Sequence, residues 1–366
     1  MKLLIATPLY PPEGGGPATY SALLEKSLGA KGIEVALAKF SDVKKYPKGI
    51  KHLMYFFSVF TKALKADCLL VLDPVSVGLP AVLAGRMLGK KVIVKIVGDY
   101  AWEQGQQRAG VVEKLDDFVV NKNVPFLCKF FRVVQTAVAR SATAVLVPSN
   151  YLKSIVLKWG VDEKKVSVIY NSISLREQIA PSIQLPEKYI VTLGRLVPWK
   201  NISGIIDAVS QLSATEHKLP LVVIGEGPLR LTLEKYAKEK ASGLVTFTGD
   251  IPNEQVQHII KHSELFVLNS SYEGLSHVLI EALMLGAPVV ATDAGGNKEL
   301  VYDTTQGLLV QVGNTAQLFD AIQQKLTEKE GEGARLERAH TAQVRFSQEQ
   351  MIENTAAFLK KVSLKV

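Results

Sequence analysis

Two carboxylates with seven residues between them dominate the stretch Glu273-Gly274-Leu275-Ser276-His277-Val278-Leu279-Ile280-Glu281. The stretch follows an apolar run of strand type and leads into a segment apolar nearly all round, including Ala282, Leu283 and Leu285. Such a helix is expected to be buried. A carboxylate at position 281 then carries a desolvation cost unless something hydrogen-bonds to it. Glu273 stands before the helix, whose first N–H groups can hold an anion. At 1.5 Å of rise per residue, Glu281 lies roughly 7–8 Å along the axis from the helix start. That separation suits one carboxylate near a sugar and another near a ribose, with phosphates at the helix tip. It equally suits a buried glutamate satisfied by a backbone amide.

Gly194-Arg195-Leu196-Val197-Pro198-Trp199-Lys200-Asn201 places two cations five residues apart before a helix. Together they can neutralise a diphosphate without a metal, or stand as two solvated surface charges. Glu13-Gly14-Gly15-Gly16-Pro17 follows the first apolar run. Glycines there let the backbone approach a phosphate closely, or simply make a turn. In Val97-Gly98-Asp99-Tyr100-Ala101-Trp102-Glu103, Asp99 can serve the reaction or cap a helix. Glu103 and Asp73 are further acids on the same rim. His258 and His262, at i and i+4, are a possible metal pair that finds no third ligand of suitable spacing, so no metal is expected. His277, inside the glutamate motif, is a plausible substrate contact.

These residues need elements to hold them. Strand-like apolar runs occur at 2–7, 68–72, 92–97, 144–147 and 166–169, with helical patterns between them. A second series runs 189–193, 221–224, 245–248, 265–268, 288–291 and 307–310. Strands alternating with helices imply parallel sheets covered on both faces. Residues 174–187, with Pro181 and Pro186 and little periodicity, read as a linker. The expectation is two doubly wound α/β domains, 1–175 and 187–346, facing across a cleft, with ligands at the carboxyl ends of the strands. A helical tail, 348–361, closes the chain.

The chain has 366 residues, 47% apolar and 21% charged, which excludes a disordered or coiled-coil protein. Two cysteines cannot make a disulfide scaffold. No apolar run reaches the roughly 18 residues that span a bilayer, and the short apolar start is not a signal peptide, so a cytoplasmic location is expected. The net charge of +8 is divided as +11 in residues 1–175 and −3 in 176–366. The surplus concentrates at 44–65, where Lys48, Lys51 and Lys62 interleave with Leu53, Phe56, Phe57 and Phe60. A second concentration is 124–140, with Lys129, Arg132 and Arg140 beside Phe126, Phe130 and Phe131. Basic amphipathic helices of this kind can lie on an anionic membrane surface, or be ordinary domain helices. No nucleic-acid-binding module is present.

The spaced glutamates, followed by Gly286-Ala287-Pro288-Val289-Val290-Ala291-Thr292 and Gly295-Gly296-Asn297-Lys298-Glu299, resemble the signature of the family 4 (group 1) retaining glycosyltransferases. Arg195 and Lys200 match that family's donor-phosphate pair. Val223-Ile224-Gly225-Glu226-Gly227-Pro228-Leu229 resembles its Gly-acidic-Gly-Pro loop, and Phe247-Thr248-Gly249-Asp250-Ile251 the loop that contacts the base. Val168-Ile169-Tyr170-Asn171-Ser172-Ile173 resembles its inter-domain element, with Ser172 where glycine is common.

The resemblance implies the GT-B fold, with residues 347–366 crossing back to the first domain. It implies transfer of a sugar, with retention, from a nucleotide-diphosphate-sugar to a hydroxyl acceptor, a saccharide or lipid-linked saccharide, in bacterial surface polysaccharide, lipopolysaccharide or glycolipid synthesis. Arg195 and Lys200 would hold the diphosphate, Glu281 the ribose hydroxyls and Glu273 the donor sugar. Amides at Leu275, Ser276, His277 and Val278 would approach sugar or phosphate, with Gly15, Gly16, Gly225 and Ile251 completing the donor site. Asp99 would orient the sugar or help deprotonate the acceptor. No cofactor is implied. Related architectures also host sugar-nucleotide epimerases and phosphorylases, and a non-catalytic binding subunit is the remaining alternative.

Overall fold

A computed structural model describes residues 1–47, 49–328 and 330–364. The chain forms two compact units, Met1–Tyr170 with Glu349–Val366, and Asn171–Gln348. In the first, β1 (Lys2–Thr7), α1 (Gly16–Ser27), β2 (Glu34–Lys39), α2 (Ile50–Ala63), β3 (Cys68–Val71), α3 (Gly78–Met87) and β4 (Lys91–Lys95) come in order. They are followed by α4 (Tyr100–Arg108), α5 (Leu115–Val120), α6 (Phe126–Ser141), β5 (Ala144–Val147), α7 (Asn150–Lys158) and β6 (Val166–Val168). The second begins with β7 (Ile190–Leu193), α8 (Ile202–Leu212), β8 (Leu221–Ile224), α9 (Arg230–Lys240), β9 (Val245–Gly249) and α10 (Asn253–Lys261). It continues with β10 (Leu265–Leu268), α11 (His277–Met284), β11 (Val289–Thr292), β12 (Leu308–Val310), α12 (Thr315–Glu328) and α13 (Glu332–Arg345). The last helix, α14 (Gln348–Leu364), returns to the first unit, where Met351, Ile352, Ala356, Leu359 and Val362 pack with β1 and β3.

Both sheets are parallel and six-stranded, in the orders β2-β1-β3-β4-β5-β6 and β12-β11-β10-β7-β8-β9. The inner strands β3, β5, β8 and β10 are buried and apolar end to end because helices cover both faces. Each strand order reverses once, between β1 and β3 and between β7 and β10. At such a reversal the loops leaving the two strands diverge to opposite faces and leave a crevice at the carboxyl edge.

Two differences from the sequence reading have simple causes. Strand β2 was not expected. It is an edge strand, only half-buried, so its apolar signal is diluted. Residues 171–175, expected with the first domain, pack with the second unit instead, through the contacts of Asn171 and Ser174 described below.

Candidate active site

In the second unit the β7 and β10 loops meet at the strand-order reversal. After β7 a short turn, Pro198–Lys200, ends at Asn201, which adopts φ 46°. Asparagine tolerates this left-handed conformation better than most residues. The turn is tied to the β10 loop by Ser271 N–H donating to the Trp199 carbonyl (2.7 Å) and by Asn269 Nδ2 donating to the Asn201 carbonyl (3.1 Å). Lys200 Nζ thereby comes 2.5 Å from Glu273 Oε1, with the two side chains 15% and 12% exposed. The predicted phosphate cation and the predicted sugar carboxylate thus neutralise each other. An anion entering here must share Lys200 with Glu273. Arg195, in contrast, is exposed.

Close backbone approach holds the neighbouring loops in place. A methyl group built on Gly225 would lie 2.3 Å from the Gly194 carbonyl oxygen, at φ 117°. One on Gly296 would lie 2.5 Å from the Gly274 carbonyl, and the Gly296 N–H donates to the Glu273 carbonyl at 3.0 Å. Glycine at these positions is therefore required by packing. Ile251, just beyond β9, is half-buried.

Helix α11 begins at the same edge. Its N-cap Ser276 accepts the Leu279 N–H (3.3 Å), and Leu275 and Ser276 are buried while His277 is exposed and Val278 half-buried. His277 Nε2 is 2.9 Å from Asn171 Nδ2. The next turns bury Leu279, Ile280, Ala282 and Leu283, and with them Glu281, only 6% exposed. Burial pushes the Glu281 carboxyl above its ordinary range, opposed by hydrogen bonds from Gln257 and Asn253 and by the charge of Arg176. The Gln257 amide donates to Glu281 Oε1 at 2.8 Å. The sequence carried no signal for Gln257, since one amide on an amphipathic helix has no pattern. His258 and His262 stack at 4.1 Å between ring centroids, and His262 Nδ1 is turned toward the His258 carbonyl oxygen (2.8 Å).

Gly15, Gly16 and Asp99 belong to the first unit. Gly15 precedes α1 at φ 136°, while methyl groups on Gly14 or Gly16 would meet nothing within 4 Å, so the β1 loop borders open space. Asp99 is the buried N-cap of α4 and accepts the Trp102 N–H at 2.9 Å. It is joined electrostatically by Asp73, after β3, and by Glu103, one turn along α4. Asp73 accepts the Val75 N–H (2.8 Å) and the Ser76 N–H. Burial raises all three carboxyls, and Glu103, facing the other two acids as well, is pushed up to about 7. A group that shares its proton near neutrality suits proton transfer.

The basic helices are partly committed to structure. Arg132 donates to the Asn121 and Phe118 carbonyls, Arg140 to the Trp159 carbonyl and Lys62 to the Leu37 carbonyl. Lys48 lies outside the described residues. Helix α3 packs between α2 and α6. Each of the three exposes an apolar stripe at helical spacing: Ile50, Leu53 and Phe57; Leu79, Leu83 and Met87; Phe126, Phe130 and Val133. The α3 stripe was missed because no cluster of charge marks it. No helix among the described residues is long and apolar enough to cross a membrane.

The chain thus forms two doubly wound α/β units, the second with a pair of opposite charges, Lys200 and Glu273, at its switch point. Residues 176–343 match the family model described as glycosyl transferases group 1, and residues 14–172 match a glycosyl transferase 4-like domain. The chain belongs to the group 1 glycosyltransferase family. A Campylobacter jejuni N-acetylgalactosamine-N,N'-diacetylbacillosaminyl-diphospho-undecaprenol 4-alpha-N-acetylgalactosaminyltransferase is 30% identical over 57% of this chain and 57% of its own length. An Escherichia coli UDP-Gal:alpha-D-GlcNAc-diphosphoundecaprenol alpha-1,3-galactosyltransferase is 28% identical over 66% of this chain and 61% of its own. The matched part is thus little more than half of these curated relatives. Among solved structures, Anabaena HepE in complex with UDP superposes with a TM-score of 0.75 at 17% identity, over 99% of this chain and 100% of that one. Sucrose-phosphate synthase from Thermosynechococcus elongatus gives 0.76 at 19%, over 99% and 98%. These likenesses establish the GT-B fold.

Proposed function

We propose that the protein is a retaining glycosyltransferase that moves a hexose-type sugar from a nucleotide-diphosphate-sugar to a hydroxyl acceptor, without a divalent metal. The reading places its action in bacterial surface polysaccharide, lipopolysaccharide or glycolipid synthesis. The observation that carries it is the Lys200–Glu273 pair at the β7/β10 reversal, beside the N-terminus of α11 and within the family match. Lys200 and Arg195 attract the diphosphate and stabilise it as it leaves, aided by the α11 amides at Leu275–Val278. Glu273, released from Lys200 by the phosphate, turns to the sugar hydroxyls, and Glu281 receives the ribose. Gly15 and Gly16 let the β1 loop approach the donor. Gly225 acts by holding the β7 and β8 loops together, and Ile251 supports the base.

With positive charge concentrated on the departing diphosphate, the leaving group departs early and charge builds on the ring. The acceptor hydroxyl attacks the same face, and a departing phosphate oxygen takes its proton. Asp99 orients and stabilises, and forms no covalent bond. The test is product anomeric configuration by NMR with and without a chelator. The configuration should match the donor and activity should persist. Inversion, or activity that needs added magnesium or manganese, would refute the mechanism.

The exposed stripes of α2, α3 and α6, with Lys65, Arg86 and Lys129 exposed on or just beyond the same helices, support peripheral contact with an anionic membrane surface, where a lipid-linked saccharide would be presented. The relatives named for diphospho-undecaprenol acceptors support the same reading. Phe130→Ser with Leu83→Ser should abolish sedimentation with anionic vesicles and leave donor binding intact. Unchanged sedimentation would remove the membrane part of the proposal.

A further inference from the structure

Gln257 is fully buried on α10, and all three of its hydrogen bonds lead to other segments. One N–H donates to Glu281 Oε1 at 2.8 Å, the other to the Ser174 carbonyl at 3.1 Å, and its oxygen accepts the Arg176 N–H at 2.9 Å. A flipped amide would set oxygen against two acceptors and N–H against a donor, so the network fixes its orientation. Segment 174–179 is further fastened to α10 by the Arg176–Glu254 ion pair (2.6 Å), by Ile179 N–H to the Glu254 carbonyl (3.2 Å) and by Lys261 to Gln178 (3.1 Å). One amide therefore joins the buried carboxylate of α11 to the chain that leaves the first unit at Tyr170.

We propose that Gln257 is a positioning residue for the donor site: it aims the Glu281 carboxylate so that its remaining lone pairs meet a vicinal diol, and it locks segment 174–176 to that carboxylate. The inference rests on the reading of Glu281 as the ribose-binding group. An ionised carboxylate offers about four acceptor positions. Gln257 and Asn253, one turn apart on α10, occupy part of that capacity and leave the rest for two hydroxyls. Once protonated, the carboxyl becomes a donor at one oxygen and no longer accepts both hydroxyls. The groups facing it are Gln257 and Asn253 from α10 and Arg176 from the preceding segment, and each favours the ionised form against burial.

The experiment uses the full chain and calorimetric titration with UDP, ADP and GDP. The tightest binder is then compared with its 2′,3′-dideoxy analogue across pH 5–8. The wild-type protein should prefer the ribose form at least tenfold at pH 8 and lose that preference as pH falls. Gln257→Met keeps side-chain length and removes all three bonds. It should bring the preference close to one, or move its pH midpoint up by a unit or more. Asn253→Ala, which leaves the buried amide in place, should move the midpoint in the same direction by less, and carries the test if Gln257→Met does not fold. A variant that keeps both the tenfold preference and the wild-type midpoint would overturn the role of Gln257 alone. A wild-type protein indifferent to the ribose hydroxyls would overturn the Glu281 reading, and this inference with it.

Discussion

Replacing Lys200 by methionine keeps the apolar stem and removes the charge, and the structure separates two consequences. Glu273 loses the cation 2.5 Å from it, in a place where only 12% of its side chain is exposed. Removing one partner of a fully buried pair costs about 3–5 kcal/mol, and the remaining exposure here lowers that to about 1–3 kcal/mol. Independently, the departing diphosphate loses a positive group. Loss of one preorganised electrostatic group typically removes about 2.7–4 kcal/mol of transition-state stabilisation, a factor of about 10²–10³ in turnover. The double variant Lys200→Met/Glu273→Gln tells the two apart. It leaves no unbalanced charge, so it should recover most of the stability lost in Lys200→Met, as read by urea denaturation. Activity should stay low, as read by release of nucleoside diphosphate from the donor. Turnover of Lys200→Met within threefold of wild type would refute the phosphate role. Additive stability losses in the double variant would refute the coupling.

Arg195→Ala should cost less than about 0.5 kcal/mol of stability, because the side chain is exposed, yet weaken donor use strongly. A denaturation curve beside a donor KM measurement checks both halves. Gly225→Ala should destabilise by about 1–3 kcal/mol, since its methyl group meets the Gly194 carbonyl at a positive φ, whereas Gly14→Ala, with open space around it, should fold as well as wild type. Melting temperatures of the pair decide this. The Glu103 carboxyl is raised from 4.5 to about 7 in the folded state, so its stabilising contribution is complete below about 4.5 and is lost as pH rises through about 7. Glu103→Gln should therefore match wild type near pH 4 and be more stable at pH 8 by about 1–3 kcal/mol. Equal stability at pH 8 would contradict the buried, mutually repelling carboxylates.

The alternating elements and the glutamate motif are legible in the chain itself. Inner strands such as Leu221–Ile224 and Leu265–Leu268, covered on both faces, read as unbroken apolar runs, and Glu281 stands out because its helix is otherwise apolar after His277. The edge strand β2 was lost because half-burial admits Glu34 and Lys39 among its apolar residues. The partnership of Lys200 with Glu273, which are 73 positions apart, follows from the adjacency of β7 and β10 in the sheet. The grouping of Asp73 with Glu103, and the grip of Gln257 on Glu281, likewise come from folding distant segments together. Arg132 and Arg140 also donate to the backbone carbonyls of Asn121 and Trp159, partners 11 and 19 positions away that no local pattern displays. Periodicity and burial are imprinted locally, residue by residue, so a sequence displays them. Which loop faces which depends on the order in which the crossovers lay down the strands, and only the assembled sheet determines that.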